Sequence, residues 1–180
     1  MDSKLQIISG EWRGRKLSVP PTARPTQNRA RIALFNMLTS LDVRPAVVWD
    51  AFAGSGAFGI ECLSRFGDAR AVFTDIAPVT VRKNLAIVGA DARATVYAAD
   101  ALSRAAQIAA TSDLIFIDPP YADAGLGVAI IRKIAAAARA GTIVVWEQDA
   151  PVACMPDEKV WEILRDKQYG RARFMIMRRQ

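Results

Sequence analysis

From Ala46 to Gln148 the chain repeats one pattern, a short apolar run followed by a stretch with helical period. The runs AVVWDAF, RAVFTD, ATVYAAD, DLIFID and GTIVVWEQ read as strands. Between them, AFGIECLSRFG, PVTVRKNLAIVG, ALSRAAQIAA and GVAIIRKIAAAARA read as helices. A helix between successive strands is what a parallel crossover needs, so the alternation predicts an α/β domain around a mostly parallel sheet. The runs AVVWDAF and DLIFID are apolar almost throughout, which suits strands covered on both faces. The closing segment, VWEILRDKQYGRARFMIMRR, predicts a hairpin turning at Tyr169-Gly170 that adds an antiparallel strand. Ahead of the repeat, LQIISGEWRGRKLSV predicts two short strands about a glycine turn, and PPTARPT an extended segment. Residues 28–41 predict a helix capped by Thr26 or Asn28, with Leu34, Phe35, Leu38 and Leu41 on its apolar face. The expected division is an N-terminal basic hairpin extension, 1–25, on a main domain, 26–180.

The chain has no histidine, which excludes imidazole acid–base chemistry and histidine-ligated metal sites; no metal is expected. Cys62 and Cys154 form no C-x-x-C pair and are expected as two buried thiols in a reducing, cytoplasmic setting. No stretch reaches the ~18 apolar residues of a membrane span, and the N-terminus lacks an apolar signal core. A monomer with no membrane partner is expected. The net charge of +6 is unevenly placed. Residues 1–44 hold eight Lys/Arg against three Asp/Glu, residues 165–180 six against one, and the middle is slightly acidic. Basic ends around an acidic centre suggest a bound polyanion; a merely solvated basic face is the alternative.

Ligands of such sheets sit beyond the carboxyl ends of the strands, where strand order reverses. Asp50, Asp75, Asp100 and Asp118 all fall at predicted strand ends. Any one of them could cap a helix or form a turn; their joint placement predicts a site. After Asp50 comes Gly54-Ser-Gly56-Ala-Phe-Gly59, a match to G-x-G-x-x-G. Gly54 and Gly56 allow a tight turn and close approach of backbone to a ligand. Asp75, 19 residues past Gly56, suits a ribose diol. A dinucleotide and S-adenosylmethionine both carry that ribose. Asp50, however, would repel a pyrophosphate and attract a sulfonium.

The tetrapeptide Asp118-Pro119-Pro120-Tyr121 follows the predicted strand LIFI. Two prolines with fixed φ hold a rigid elbow. The Asp118 carboxylate and the Pro119 carbonyl can then both accept from one NH2 group. An exocyclic amine on a nucleobase is a poor nucleophile, and two acceptors orient its lone pair at an electrophilic methyl. Tyr121 offers a face on which an extruded base can stack.

These segments resemble the bacterial small-subunit ribosomal RNA guanine-N2 methyltransferases. The resemblance rests on IISGEWRGRKL, RPTQNRARIALFNML, DAFAGSGAFGIECLSR and DPPY, and spans nearly the whole chain. It implies a Rossmann-like class I methyltransferase fold, S-adenosylmethionine as donor, and guanine N2 in 16S rRNA, free or in an assembling small subunit, as acceptor. It further implies that Asp50, Gly54 and Gly56 line the cofactor, Asp75 its ribose and Asp100 its adenine amine, with Thr26 and Arg29 near the methionyl end. Asp118, Pro119 and Tyr121 would form the base site, and Arg13, Arg15 and Lys16 would contact RNA. The chain departs from the family at Asn28 and Ile32, where acids are usual, and at Asp75, where glutamate is usual. Adenine-N6 methylation is the alternative acceptor chemistry, since the same elbow serves both bases. A nicotinamide oxidoreductase and a non-catalytic RNA-binding module are the readings from other classes.

Overall fold

The computed structural model describes residues 5–20, 28–120 and 124–180. The sequence alternation becomes β1 (Val47–Asp50), α2 (Ala57–Arg65), β2 (Arg70–Asp75), α3 (Val79–Val88), β3 (Ala94–Ala98), α4 (Ala101–Ala109), β4 (Leu114–Ile117), α5 (Ala124–Ala137) and β5 (Ile143–Asp149). Helix α1 (Asn28–Ser40) precedes them, and the hairpin β6 (Trp161–Tyr169) and β7 (Ala172–Arg179) closes the chain. All seven strands share one sheet in the order β3-β2-β1-β4-β5-β7-β6. The first five are parallel; β7 inserts antiparallel between β5 and β6. The chain thus builds outward from β1 to β3, then returns to lay β4 against β1's other side. That reversal leaves a crevice above the carboxyl ends of β1 and β4.

Side chains alternate cleanly between two cores. Val48, Leu114, Phe116, Val145, Phe174 and Ile176 face α1, α2, α3 and the N-terminal segment. Trp49, Ile115, Ile117, Val144, Trp146 and Met175 face α4 and α5. Burial on both sides explains why β1, β4 and β5 carry apolar runs rather than the half-polar pattern of a solvated sheet. One indole of this layer is tied to the sheet: Trp49 Nε1 donates to Thr74 Oγ1 at 3.1 Å.

The N-terminal segment is a turn whose arms pair without forming regular strands. Gln6 and Lys16 form an isolated antiparallel bridge, and Ile7 N to the Arg15 carbonyl, Gly14 N to the Ile7 carbonyl and Leu17 N to the Leu5 carbonyl also join the arms. Four further backbone donors are taken by α2. Ile8 N and Ser9 N donate to the Glu61 carboxylate at 2.7 and 3.0 Å. Trp12 N donates to Ser64 Oγ at 3.0 Å, and Glu11 N to the Ser64 carbonyl at 2.8 Å. Ile7, Trp12 and Leu17 are buried in the same core as α1, α2 and α3. Cys62 is buried as expected; Cys154 is only half-buried. No helix among the described residues is long and apolar enough to cross a membrane.

Candidate active site

Asp50 ends β1 with its side chain on the α2 face, 1% exposed. Its Oδ2 accepts from Gly59 N, in the first turn of α2, at 3.1 Å. Burial pushes the carboxyl up to about 8, with the nearby charges of Asp118 and Asp75 adding to the rise and the Gly59 bond opposing it. Asp118 follows the last residue of β4, half-buried, and Pro119 behind it is buried. Removal of water pushes the Asp118 carboxyl up as well. Two acids that resist ionisation, side by side at the switch point, suit a site that receives positive charge.

The glycine loop lies between them and α2. Gly54 and Gly56 both have positive φ, +53° and +74°, which other residues adopt only with strain. Their surroundings differ. A β-carbon on Gly54 would meet nothing within 4 Å, so this backbone is open to a ligand. A β-carbon on Gly56 would lie 2.6 Å from Val81 Cγ2, so Gly56 also serves helix packing. Asp75 braces the loop: its Oδ2 accepts from Gly54 N and its Oδ1 from Ala77 N, both at 2.7 Å. Asp100 is exposed and caps α4, accepting from Leu102 N and Ser103 N. Asp75 thus forms a turn and Asp100 a cap, and each carboxylate retains further acceptor lone pairs.

The remaining expected residues are placed less tightly. Arg29 is exposed in the first turn of α1. Arg13, Arg15 and Lys16 are exposed on the N-terminal turn, although Arg15 Nη1 donates to the Ile87 carbonyl at 3.0 Å. Thr26 and Tyr121 lie outside the described residues. Three of the six basic residues of the C-terminal hairpin are in ion pairs: Arg171 pairs with Asp149, Arg173 with Asp166 and Arg178 with Glu162.

Two residues of the site were not singled out from sequence. Asn84 of α3, fully buried, accepts from Ser18 N at 2.8 Å and donates to the carbonyls of Ser18 and Ser55 at 2.9 and 2.8 Å. It joins the N-terminal segment to the glycine loop. Ile76, next to Asp75, is 82% exposed, an apolar surface left at the mouth of the crevice. Its one sequence signal is its position after the strand-end acid.

The geometry is that of class I methyltransferases, and comparison with known proteins agrees. The profile of the family described as Conserved hypothetical protein 95 matches residues 5–178. The chain belongs to that family. A relative, the ribosomal RNA small subunit methyltransferase D of Escherichia coli K12, is 42% identical over 122 residues, 66% of this chain. The matched stretch spans 61% of that protein's length, less than two thirds. The protein of the same name from Buchnera aphidicola (Acyrthosiphon pisum strain) is 34% identical over 128 residues, 67% of this chain and 64% of that protein. Among solved structures, a putative methyltransferase, yhhF, from Escherichia coli superposes with a TM-score of 0.83 at 33% identity, covering 98% of both chains.

Proposed function

We propose that this chain transfers a methyl group from S-adenosylmethionine to the exocyclic N2 amine of a guanine in small-subunit (16S) rRNA. The observation that carries the reading is the pairing of Asp50 and Asp118 at the carboxyl ends of adjacent strands, beside an open glycine backbone. Relatives named as small-subunit rRNA methyltransferases support the coarser part of the reading, methylation of small-subunit rRNA.

S-adenosylmethionine, when bound, supplies an electrophilic methyl on a sulfonium. The chain's own residues bind and orient. Gly54 admits a ligand against its backbone, and Asp50 supplies the compensating negative charge. Asp75, already bonded to Gly54 and Ala77, has lone pairs left for a ribose diol, with a water or the loop making up for its short side chain. Asp100 is available to an adenine amine, Ile76 to a purine face, and Thr26 and Arg29 to the methionyl end. Asp118 and the Pro119 carbonyl accept from the target NH2, turn its lone pair toward the methyl, and stabilise the positive charge that develops on nitrogen. Tyr121 stacks the extruded base. No covalent intermediate with the enzyme is required. In this reading, 1–25 is the RNA-contacting extension of a 26–180 methyltransferase domain, and Arg13, Arg15 and Lys16 meet phosphates.

Titration calorimetry tests the cofactor: S-adenosylmethionine should bind and NAD(P) should not, and the reverse would sink the reading. Mass spectrometry of rRNA from cells lacking the gene tests the acceptor, because a missing N2-methylguanine names both base and position. Asp118→Ala should retain cofactor binding and lose turnover; normal turnover would remove the proposed role of Asp118.

A further inference from the structure

One buried acid at this end of the sheet has no part in the scheme above. Glu147, in β5, is 4% exposed. The β4–β5 register ends on the pair Ile117 and Trp146, and Asp118, just past β4, and Glu147 come next along strands spaced roughly 4.8 Å apart. Their faces agree. Val145 belongs to the α2-side core and Trp146 to the other, so Glu147 returns to the α2 side, where Asp50 meets Gly59. Opposite it on β7 is Phe174, fully buried in that same core. The strand end is held firmly, since Gln148 Oε1 accepts from Cys154 N at 2.6 Å and Gln148 Nε2 donates to the Cys154 carbonyl at 3.1 Å. Glu147 interacts within the protein, yet a carboxylate has about four acceptor positions, so it can also serve a ligand.

We propose that Glu147 is a specificity residue that accepts a hydrogen bond from guanine N1–H. The proposal rests on the methyl-transfer reading above. On the Watson–Crick edge, guanine presents N1–H directly beside its N2 amine. Adenine presents a bare N1 lone pair beside its N6 amine. Asp118 and the Pro119 carbonyl engage either amine alike and cannot tell the bases apart. A second carboxylate one strand over can, because it accepts from the ring N–H of guanine and repels the ring lone pair of adenine. A site built around a substrate's donor strongly rejects the analogue that lacks it. The choice between guanine and adenine, open from the Asp118 elbow alone, thus falls to β5.

The test uses a small-subunit rRNA fragment carrying the guanine that the protein methylates, as located by mass spectrometry. That guanine is replaced by 2-aminopurine, which keeps the 2-amine but has no N1–H. Wild type should prefer guanine by at least about tenfold in kcat/KM, the scale of one charge-assisted hydrogen bond. Glu147→Gln should lose roughly ten- to a hundredfold on guanine while keeping or gaining activity on 2-aminopurine, because its amide can donate to the bare N1. Its affinity for S-adenosylmethionine should not change. An equal loss on both bases would make Glu147 merely structural and overturn the proposal. Should the variant fail to fold, the wild-type ratio decides alone, and a ratio near one overturns it. A wild type that binds S-adenosylmethionine but methylates no guanine overturns the underlying reading and this assignment with it.

Discussion

Glu61 is the residue whose removal the structure prices most clearly. It lies mid-way along α2, fully buried, and its carboxylate takes Ile8 N, Ser9 N and Arg65 Nε, the last at 2.7 Å. Its charge also acts on Arg31, whose buried guanidinium donates to the Gln6 carbonyl and has no hydrogen-bond partner at Nε or Nη1 among the described residues. Burial lowers the Arg31 pKa, and the Glu61 charge works against that. Glu61→Ala would leave two backbone donors unsatisfied, break the ion pair with Arg65 and withdraw a charge that favours the buried Arg31 cation. Losing one member of such a buried network destabilises by about 3–5 kcal/mol. For a domain of this size that lowers Tm by roughly 10 °C. Glu61→Gln keeps the volume but presents an NH2 where a donor already points, so its loss should be smaller. Circular dichroism gives Tm, and hydrogen exchange of the Ile8 and Ser9 amides reports the local effect; in Glu61→Gln these should exchange ahead of global unfolding. An unchanged Tm in Glu61→Ala, with the two amides still protected, would refute the argument that α2 holds the N-terminal segment through this carboxylate.

Asn84→Ala should weaken S-adenosylmethionine binding about tenfold by calorimetry without touching the ligand, because the Ser55 carbonyl and Ser18 both lose their partner. Asp50, raised to about 8 when folded against about 3.9 unfolded, makes the native state bind the extra proton. Stability should therefore fall as pH rises from about 4 to 8, then level off. Thermal melts at pH 5.5 and 8.5 should show wild type losing more than Asp50→Asn; equal losses would contradict it. A cationic cofactor favours the ionised carboxyl, so S-adenosylmethionine binding near pH 7 should release protons, measurable by calorimetry in buffers of different ionisation enthalpy. Arg13→Ala with Arg15→Ala should weaken RNA binding and flatten its salt dependence, most of it through Arg13, since Arg15 already bonds α3; an unchanged slope would leave these arginines as a solvated face.

The sheet and the strand-end placement of its acids were readable because their signals are local. An apolar run ending in aspartate marks a strand's carboxyl end whether or not its neighbours are known, and Asp50, Asp75 and Asp118 were found that way. The bracing residues have no such mark. Glu61 and Ser64 sit in AFGIECLSR, where a Glu and a Ser read as the solvated stripe of a helix. Their partners lie 52 to 55 residues away, and only the fold reveals them. The N-terminal turn is held both ways: its arms pair through Ile7 N, Gly14 N and Leu17 N, while Ile8 N, Ser9 N and Trp12 N go to side chains of α2. Glu147 was obscured differently. GTIVVWEQ announces a strand, but its register with DLIFID, which sets Glu147 beside Asp118, is a property of pairing and not of either segment.

Helix α2 carries two attachments. Its first turn follows the glycine loop, and its outer flank, through Glu61 and Ser64, seats the arginine-bearing turn. A protein engineer wishing to give this domain a different basic turn could not exchange residues 5–20 as a detachable cassette. A foreign segment would strand a buried carboxylate and uncover the apolar seats of Ile7, Trp12 and Leu17. The exchangeable unit is the turn together with the α2 flank that fits it, and any graft must leave undisturbed the first turn of that same helix, on which the cofactor loop depends.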